Sequence, residues 1–251
     1  MKIQLIRHAT LLIEIGGRRL LIDPMFSPKG SFDPTPSMLP QLRNPTVDLP
    51  MTLEQLPPID AVIVTHRHPD HFDQAAAEWL PKDITLLCQS EDADAFRKEG
   101  FAAVMPLELQ SAAALLDLRI TRTGGRHGRG AIGQKMGTVS GFVLESQQET
   151  LYIAGDTVWC EEVGAALDAF RPNAAVLFAG EARFPAGGPI TMGINDMMAV
   201  LERAPETKVV VAHLEAWNHC GLTRAALRED MRIEGMADRV AVPEDGEWVA
   251  L

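Results

Sequence analysis

The sequence predicts one domain of mixed α and β structure. Three observations carry that expectation. Short apolar runs bounded by turn residues recur in both halves of the chain, the mark of buried strands. Capped helical stretches are interspersed among them. No linker-like composition divides the 251 residues, a length that at roughly 100–200 residues per domain suits one large domain.

The elements follow in order. "KIQLI" and "LLIEI" are extended apolar stretches, Gly16-Gly17 supplies a turn, and "RRLLID" returns, so the chain opens with hairpins. Nine prolines, from Pro24 to Pro58, then punctuate a stretch with little periodicity. A structureless stretch this long inside a domain is expected to be functional, here a loop over the active site at about 25–58. "DAVIVTH" reads as a buried strand, "DQAAAEWL" as a helix ended by Pro81, "ITLLCQ" as a strand and "EDADAFRKEG" as a helix closed by Gly100. "LLDLRITRT", "VSGFVLES" and "TLYIAGD" read as successive strands, and "EEVGAALDAF" as a helix stopped before Pro172. "AAVLFAG" and "TKVVVAH" are strands around the helix "INDMMAVLERA", for which Asn195 is the candidate cap. "LTRAALREDMRIEG" is a helix capped by Thr223, stapled by Leu222 and Leu227 and ended by Gly235. "RVAVP" and "EWVAL" close the chain as two short strands.

Composition narrows the function classes. Net charge is 23 − 34 = −11, which disfavours nucleic acid and anionic membranes as partners. The N-terminus is broken by Arg7, His8 and Glu14 and lacks a signal-peptide core, and no run is long enough to span a bilayer. Cys88, Cys160 and Cys220 are widely spaced and odd in number, so they read as reduced thiols of a cytoplasmic protein. Cys220 lies near His213 and His219, as a metal-proximal group or as a small buried residue.

The chemistry concentrates in "THRHPDHFD", residues 65–73, which hold three of the seven histidines. His66 and His68 share a face of an extended chain, Pro69 forces a turn, and Asp70 and His71 follow. One segment thereby offers two ligands to each of two metals. His66, His127, Asp156 and His213 each fall just past an apolar strand, rigid anchors from which side chains converge. Imidazole and carboxylate suit zinc, manganese or iron(II), and the stretch has no cysteine for a sulfur-rich structural site. A solvated polar loop accounts for one such histidine, not for this constellation. Asp73 falls outside the set and starts the following helix.

"THRHPDH" resembles the H-x-H-x-D-H signature of the metallo-β-lactamase-fold hydrolases, with His127, Asp156 in "AGDT" and His213 in "VVVAH" following in the family's order. The resemblance implies a four-layer αββα sandwich and two divalent metal ions, zinc first, with manganese or iron as alternatives. One metal would take His66, His68 and His127, the other Asp70, His71 and His213, with Asp156 between them. A hydroxide bridging the metals would then attack, and Asp70 would orient it and carry a proton to the leaving group. "GGRHGRG" departs from the motif of the lactamase and glyoxalase branches. With "IRHATLLIEIGGRRLLIDP" it is more similar to the branch of ascorbate-6-phosphate lactonase and the N-acyl-phosphatidylethanolamine phospholipase D-like hydrolases. There His8 in "RHAT" matches a histidine near the metals, although Arg7 replaces a glycine.

The substrate is less determined, because this fold hosts many chemistries. Arg119, Arg122, Arg126 and Arg129 surround His127, with Arg67 in the first motif and Arg43 in the Pro-rich loop. They are candidates for binding a carboxylate or phosphate, or else solvated loop residues. His219 is a candidate at the pocket rim, for substrate contact or as an acid. The leading expectation is hydrolysis of a small anionic lactone, ester or amide. A phosphodiesterase is the second reading, and a metal-stabilised binding or sensing protein without turnover the third. A homo-oligomer is left open.

Overall fold

In the computed structural model, which describes residues 1–251, the chain forms two seven-stranded mixed sheets. The first half supplies β1 (Lys2–Arg7), β2 (Thr10–Ile15), β3 (Arg18–Ile22), β4 (Ala61–Val64), β5 (Leu86–Gln89) and β6 (Val104–Leu107). The second supplies β7 (Ala112–Leu115), β8 (Leu118–Thr123), β9 (Gly141–Glu145), β10 (Thr150–Ile153), β11 (Ala174–Phe178), β12 (Lys208–Ala212) and β13 (Val240–Ala241). The last strand, β14 (Trp248–Ala250), returns to the first sheet beside β1. The sheet orders are β14-β1-β2-β3-β4-β5-β6 and β13-β12-β11-β10-β9-β8-β7. Each sheet begins with antiparallel pairs and continues in parallel ones, in registers such as Ile3↔Ile13 and Val176↔Val210. The parallel stretches require crossovers, which α1 (Gln74–Trp79), α2 (Ala93–Lys98), α4 (Glu161–Phe170), α5 (Ile194–Arg203) and α6 (Arg224–Ile233) provide for all but β3–β4, joined through residues 24–58, while α3 (Gly130–Met136) links β8 to β9.

Alternation along the strands builds the layers. Ala61 and Ile63 of β4 and Val210 and Ala212 of β12 belong to the cluster that joins both sheets, with Leu5, Ile13, Phe142, Ile153 and Phe178. Their neighbours face outward. Val62 and Val64 pack with Ala76, Ala77 and Phe96 of α1 and α2, and Val209 and Val211 with Val163, Leu201 and Leu227 of α4, α5 and α6. The result is the αββα sandwich, with β4 apolar throughout and β12 apolar after its exposed Lys208, because both faces are covered. Each valine, leucine, isoleucine or phenylalanine among them contributes about 1.5–3 kcal/mol on full burial.

Local chemistry sets the boundaries. Asp73 caps α1, its carboxylate accepting from Ala76 N at 2.8 Å, and it also accepts from Phe26 N and Ser27 N. Thr223 caps α6, with Leu222 and Leu227 both buried. Gly16 and Gly17 take positive φ of 56° and 74°, as the tight turn between β2 and β3 demands.

Three expectations need correction. Asn195 does not cap α5: Gly193 stands at that position, and Asp196 accepts from its N–H at 3.4 Å. The helix expected over "EDADAFRKEG" is a 3₁₀ turn, Ser90–Asp92, followed by the shorter α2. "LLDLRITRT" is not one strand. It breaks at Leu116, φ 57°, into the hairpin β7–β8, whose Asp117 pairs with Arg18. β6 and α3 were unsignalled: Pro106 marks β6 as an edge strand, and α3 carries Gly130 and Gly133 and buries no residue.

Residues 24–58 hold only a 3₁₀ turn, Leu53–Gln55, and one isolated bridge, Phe32↔Asn44. Side chains fasten the segment to the body. Arg7, fully buried, donates to the carbonyls of Met25, Ser27 and Val47, which accounts for a guanidinium where the resembling branch has glycine. Asn44 and Asn218 bond reciprocally at 2.8 Å, and Thr35 bonds Asn218 and Trp217. No helix is long and apolar enough to cross a membrane.

Candidate metal centre

Six strand ends meet at one edge of the sandwich. β1 ends at His8, β3 at Asp23, β4 at His66, β8 at His127, β10 at Asp156 and β12 at His213, each within four residues of its strand. The segment after β4 adds His68, Asp70 and His71. All of these are buried except His68, which is partly exposed.

Two groups of donors form among them, and a third, His8, His213 and Cys220, shares His213 with the second. His66, His68 and His127 have ligand atoms within 4.8 Å of one another, and so do Asp70, His71, Asp156 and His213. Asp156 stands between the groups. Its Oδ2 lies 3.3 Å from His71 Nε2 and 3.5 Å from His127 Nε2, and its Oδ1 lies 3.4 Å from His213 Nε2. His66 Nε2 and His68 Nδ1 point at each other across 2.9 Å. Nε2 of His71, His127 and His213 and Oδ1 of Asp156 are buried without a hydrogen-bond partner. Orphaned polar atoms are costly, and several converging on one place call for an absent partner. The donor set, imidazole and carboxylate, fits divalent cations.

Proton affinities follow from the crowding. Burial disfavours charge on Asp156, yet His213 and His71 together hold its carboxyl well below the usual range. Asp70 is likewise held well below by His71, His213 and His8 against the opposing effect of burial. Burial pulls His71 down, but Asp156, Asp70 and Asp23 outweigh it and raise the imidazole to about 10. Burial lowers His127 to about 4, against Asp156, and His8 to about 3, with help from His213.

Further partners fix the rings. Asp23 Oδ2 faces His71 Nδ1 at 2.8 Å, while the carboxylate accepts from Thr65 N and Thr65 Oγ1, both at 2.7 Å. Thr65 Oγ1 lies 3.1 Å from His66 Nδ1, and the Ile190 carbonyl accepts from His127 Nδ1 at 2.8 Å. Asp23 was missed in the sequence. Its signal was its place, directly after an apolar strand, as for His66 and His213.

The other candidate residues divide. His8 is brought to the centre: its Nε2 lies 3.3 Å from Asp70 Oδ2, and its ring centroid 3.8 Å from that of His213. His219 is buried beside Phe184, lining a cavity of about 350 Å³ with Met38 and Leu39 of the Pro-rich segment. The arginines are not brought in. Arg43 pairs with Asp33, Arg67 with Glu99, Arg126 with Glu162 at 3.1 Å, Arg129 with Asp196 and Arg119 with Glu145. Arg122 is buried on Ser140, Leu107 O and Glu91. Each has found a nearer acceptor. Arg126→Ala is accordingly expected to leave KM unchanged for anionic and neutral substrates alike; steady-state kinetics showing a selective rise for the anion would restore it to the site.

Comparison with known proteins agrees with this geometry. Residues 18–214 match the Beta-lactamase superfamily domain. The UPF0173 protein YddR of Bacillus subtilis is 37% identical over 98% of both chains. The crystal structure of isothiocyanate hydrolase from Delia radicum gut bacteria superposes with a TM-score of 0.93 at 40% identity, covering 100% of this chain and 99% of that one. That of a possible metal-dependent hydrolase from Veillonella parvula gives 0.92 at 30% identity, with the same coverage. The chain belongs to the beta-lactamase superfamily, among its metal-dependent hydrolases.

Proposed function

We propose that the chain holds two divalent cations, one on His66, His68 and His127 and one on Asp70, His71 and His213 with Asp156 between them, and hydrolyses a small uncharged electrophile carrying an apolar group. An isothiocyanate is the first such substrate. The observation that carries the hydrolytic reading is the convergence of buried donors, among which His71, His127 and His213 have Nε2 atoms without a hydrogen-bond partner. The substrate class is supported by the 40% identity to an isothiocyanate hydrolase and by the arginines, all tied to other acceptors. An apolar flank adds to it. Phe32, Ile132, Met136 and Phe184 are partly exposed over buried Ile190 and Trp217. Ile190 holds His127, and the Trp217 ring lies 5.9 Å from that of His8.

Bound cations would supply Lewis acidity and make water nucleophilic at neutral pH. The chain's own residues do the rest. Asp70, ionised at neutral pH, takes a proton from the attacking water and returns it to the leaving nitrogen. Its Oδ2 sits between His8 Nε2 and His213 Nε2, at 3.3 and 3.4 Å. His8 stays neutral and donates from Nε2, which orients that carboxylate. The apolar flank holds the substituent and excludes bulk water. For an isothiocyanate the water oxygen bonds to the central carbon, the carbon–nitrogen bond breaks, and nitrogen gains two protons. The products are the amine and carbonyl sulfide.

The test is a substrate panel on protein loaded with zinc, manganese or iron(II): benzyl isothiocyanate, neutral and anionic lactones, esters, amides and bis-p-nitrophenyl phosphate. The isothiocyanate is expected to turn over with kcat/KM of at least about 10⁴ M⁻¹ s⁻¹. Faster cleavage of the phosphodiester, or of an anionic lactone, would overturn the substrate class. Stoichiometric metal with no turnover of any substrate would favour a binding protein.

A further inference from the structure

A histidine that coordinates through one ring nitrogen needs the other held, which fixes its tautomer and angle. At this centre His71 is held by Asp23, His66 by Thr65 and His127 by the Ile190 carbonyl. His213 has no oxygen in that role. Its Nδ1 faces Cys220 Sγ at 3.6 Å.

The contact is built into the backbone. Cys220 is buried and free of any disulfide, and its N–H donates to Trp217 O at 3.0 Å. Gly180 packs against it. A Cβ at Gly180 would come within 2.2 Å of His213 O and 2.8 Å of Cys220 Sγ, so only glycine lets the thiol close on the ring. His213 Nε2 meanwhile points between Asp70 and Asp156. Coordination through Nε2 leaves the hydrogen on Nδ1, and Sγ is then its acceptor.

We propose that Cys220 is the positioning residue for His213 and sets the affinity of the cation site made by Asp70, His71, Asp156 and His213. Sulfur is a weak acceptor at long range, whereas His71 and His127 are held by oxygens at 2.8 Å. Within its own site His213 is thus the less firmly held imidazole, and its site is the one that Cys220 tunes. This goes beyond the two-cation reading and rests on it.

The experiment is calorimetric titration of chelator-stripped protein with zinc, for wild type, Cys220→Ala and Cys220→Ser, with circular-dichroism melts to check folding. Wild type is expected to show two binding events. In Cys220→Ala one event is retained and the other falls by about 10–100-fold, the usual effect of losing a partner of a ligand histidine. Cys220→Ser, which keeps an acceptor on a shorter bond, falls in between, and it carries the test alone if the alanine variant does not fold. A single event in wild type would overturn the two-cation reading and this inference with it. Two events in wild type, matched by the variants or weakened equally at both sites, would overturn this inference alone.

Discussion

Replacing His66 and His68 together by Ala is expected to remove the cation of their cluster and to abolish turnover. These two donors sit on one segment, and with His127 they make up a whole cluster. Removing both leaves His127 alone there, and a lone imidazole does not retain a divalent cation against water. Residues that act as a unit do not lose function in proportion to their number. The expected fall in kcat/KM is roughly 10⁶-fold, the low end of enzymatic accelerations. Metal analysis beside kinetics checks it, with the melt of the cation-free variant compared with cation-free wild type to show that the fold survives. A double variant that lacks this cation and keeps full activity would sink the hydrolytic reading altogether.

Asp23→Ala is expected to be the most damaging change at a residue outside both donor clusters. Its carboxylate is fully buried and accepts from Thr65 N, Thr65 Oγ1 and His71 Nδ1. Burial raises its pKa, against His71 and Thr65. Alanine there strands three buried donors at once, and breaking a buried pair by removing one partner costs about 3–5 kcal/mol. The His71 ring also loses its anchor, so zinc affinity should fall by about 10–100-fold. Asp23→Asn preserves the shape but sets an amide N–H against at least one donor, and should fall short of wild type in the same direction. Urea unfolding of cation-free protein measures the first effect and zinc titration the second. Unchanged values in both would show that Asp23 only fills space.

The clustering of the candidate donors was legible in the sequence because its logic is local. Four of its donors lie within residues 66–71, and the others follow strands whose apolar runs announce themselves. Asp23 obeys the same rule, but one carboxylate after one strand is unremarkable until its partner His71, 48 residues away, is placed beside it. The arginines misled for the same reason. Arg67 meets Glu99 and Arg126 meets Glu162 across 32 and 36 residues, distances over which sequence pattern carries no pairing information. Both sheets could be anticipated from their central strands. The edge was harder: β6 contains Pro106, β7 is mostly alanine, and α3 has glycines where a helix wants alanine.

The fastening of the Pro-rich segment bears on how such proteins diverge. Arg7 and the Asn44–Asn218 pair grip its two ends, while Met38, Leu39 and Leu42 at its tip are exposed. Lengthening a gripped loop is thermodynamically mild, about 0.6 kcal/mol per doubling. A lineage can therefore insert, delete or recolour the tip and alter which molecules enter the neighbouring cavity. The strand ends that carry the donors feel none of it. On the function proposed above, substrate preference and bond-breaking chemistry would sit on separate pieces of the chain, and selection could work on the first without risking the second.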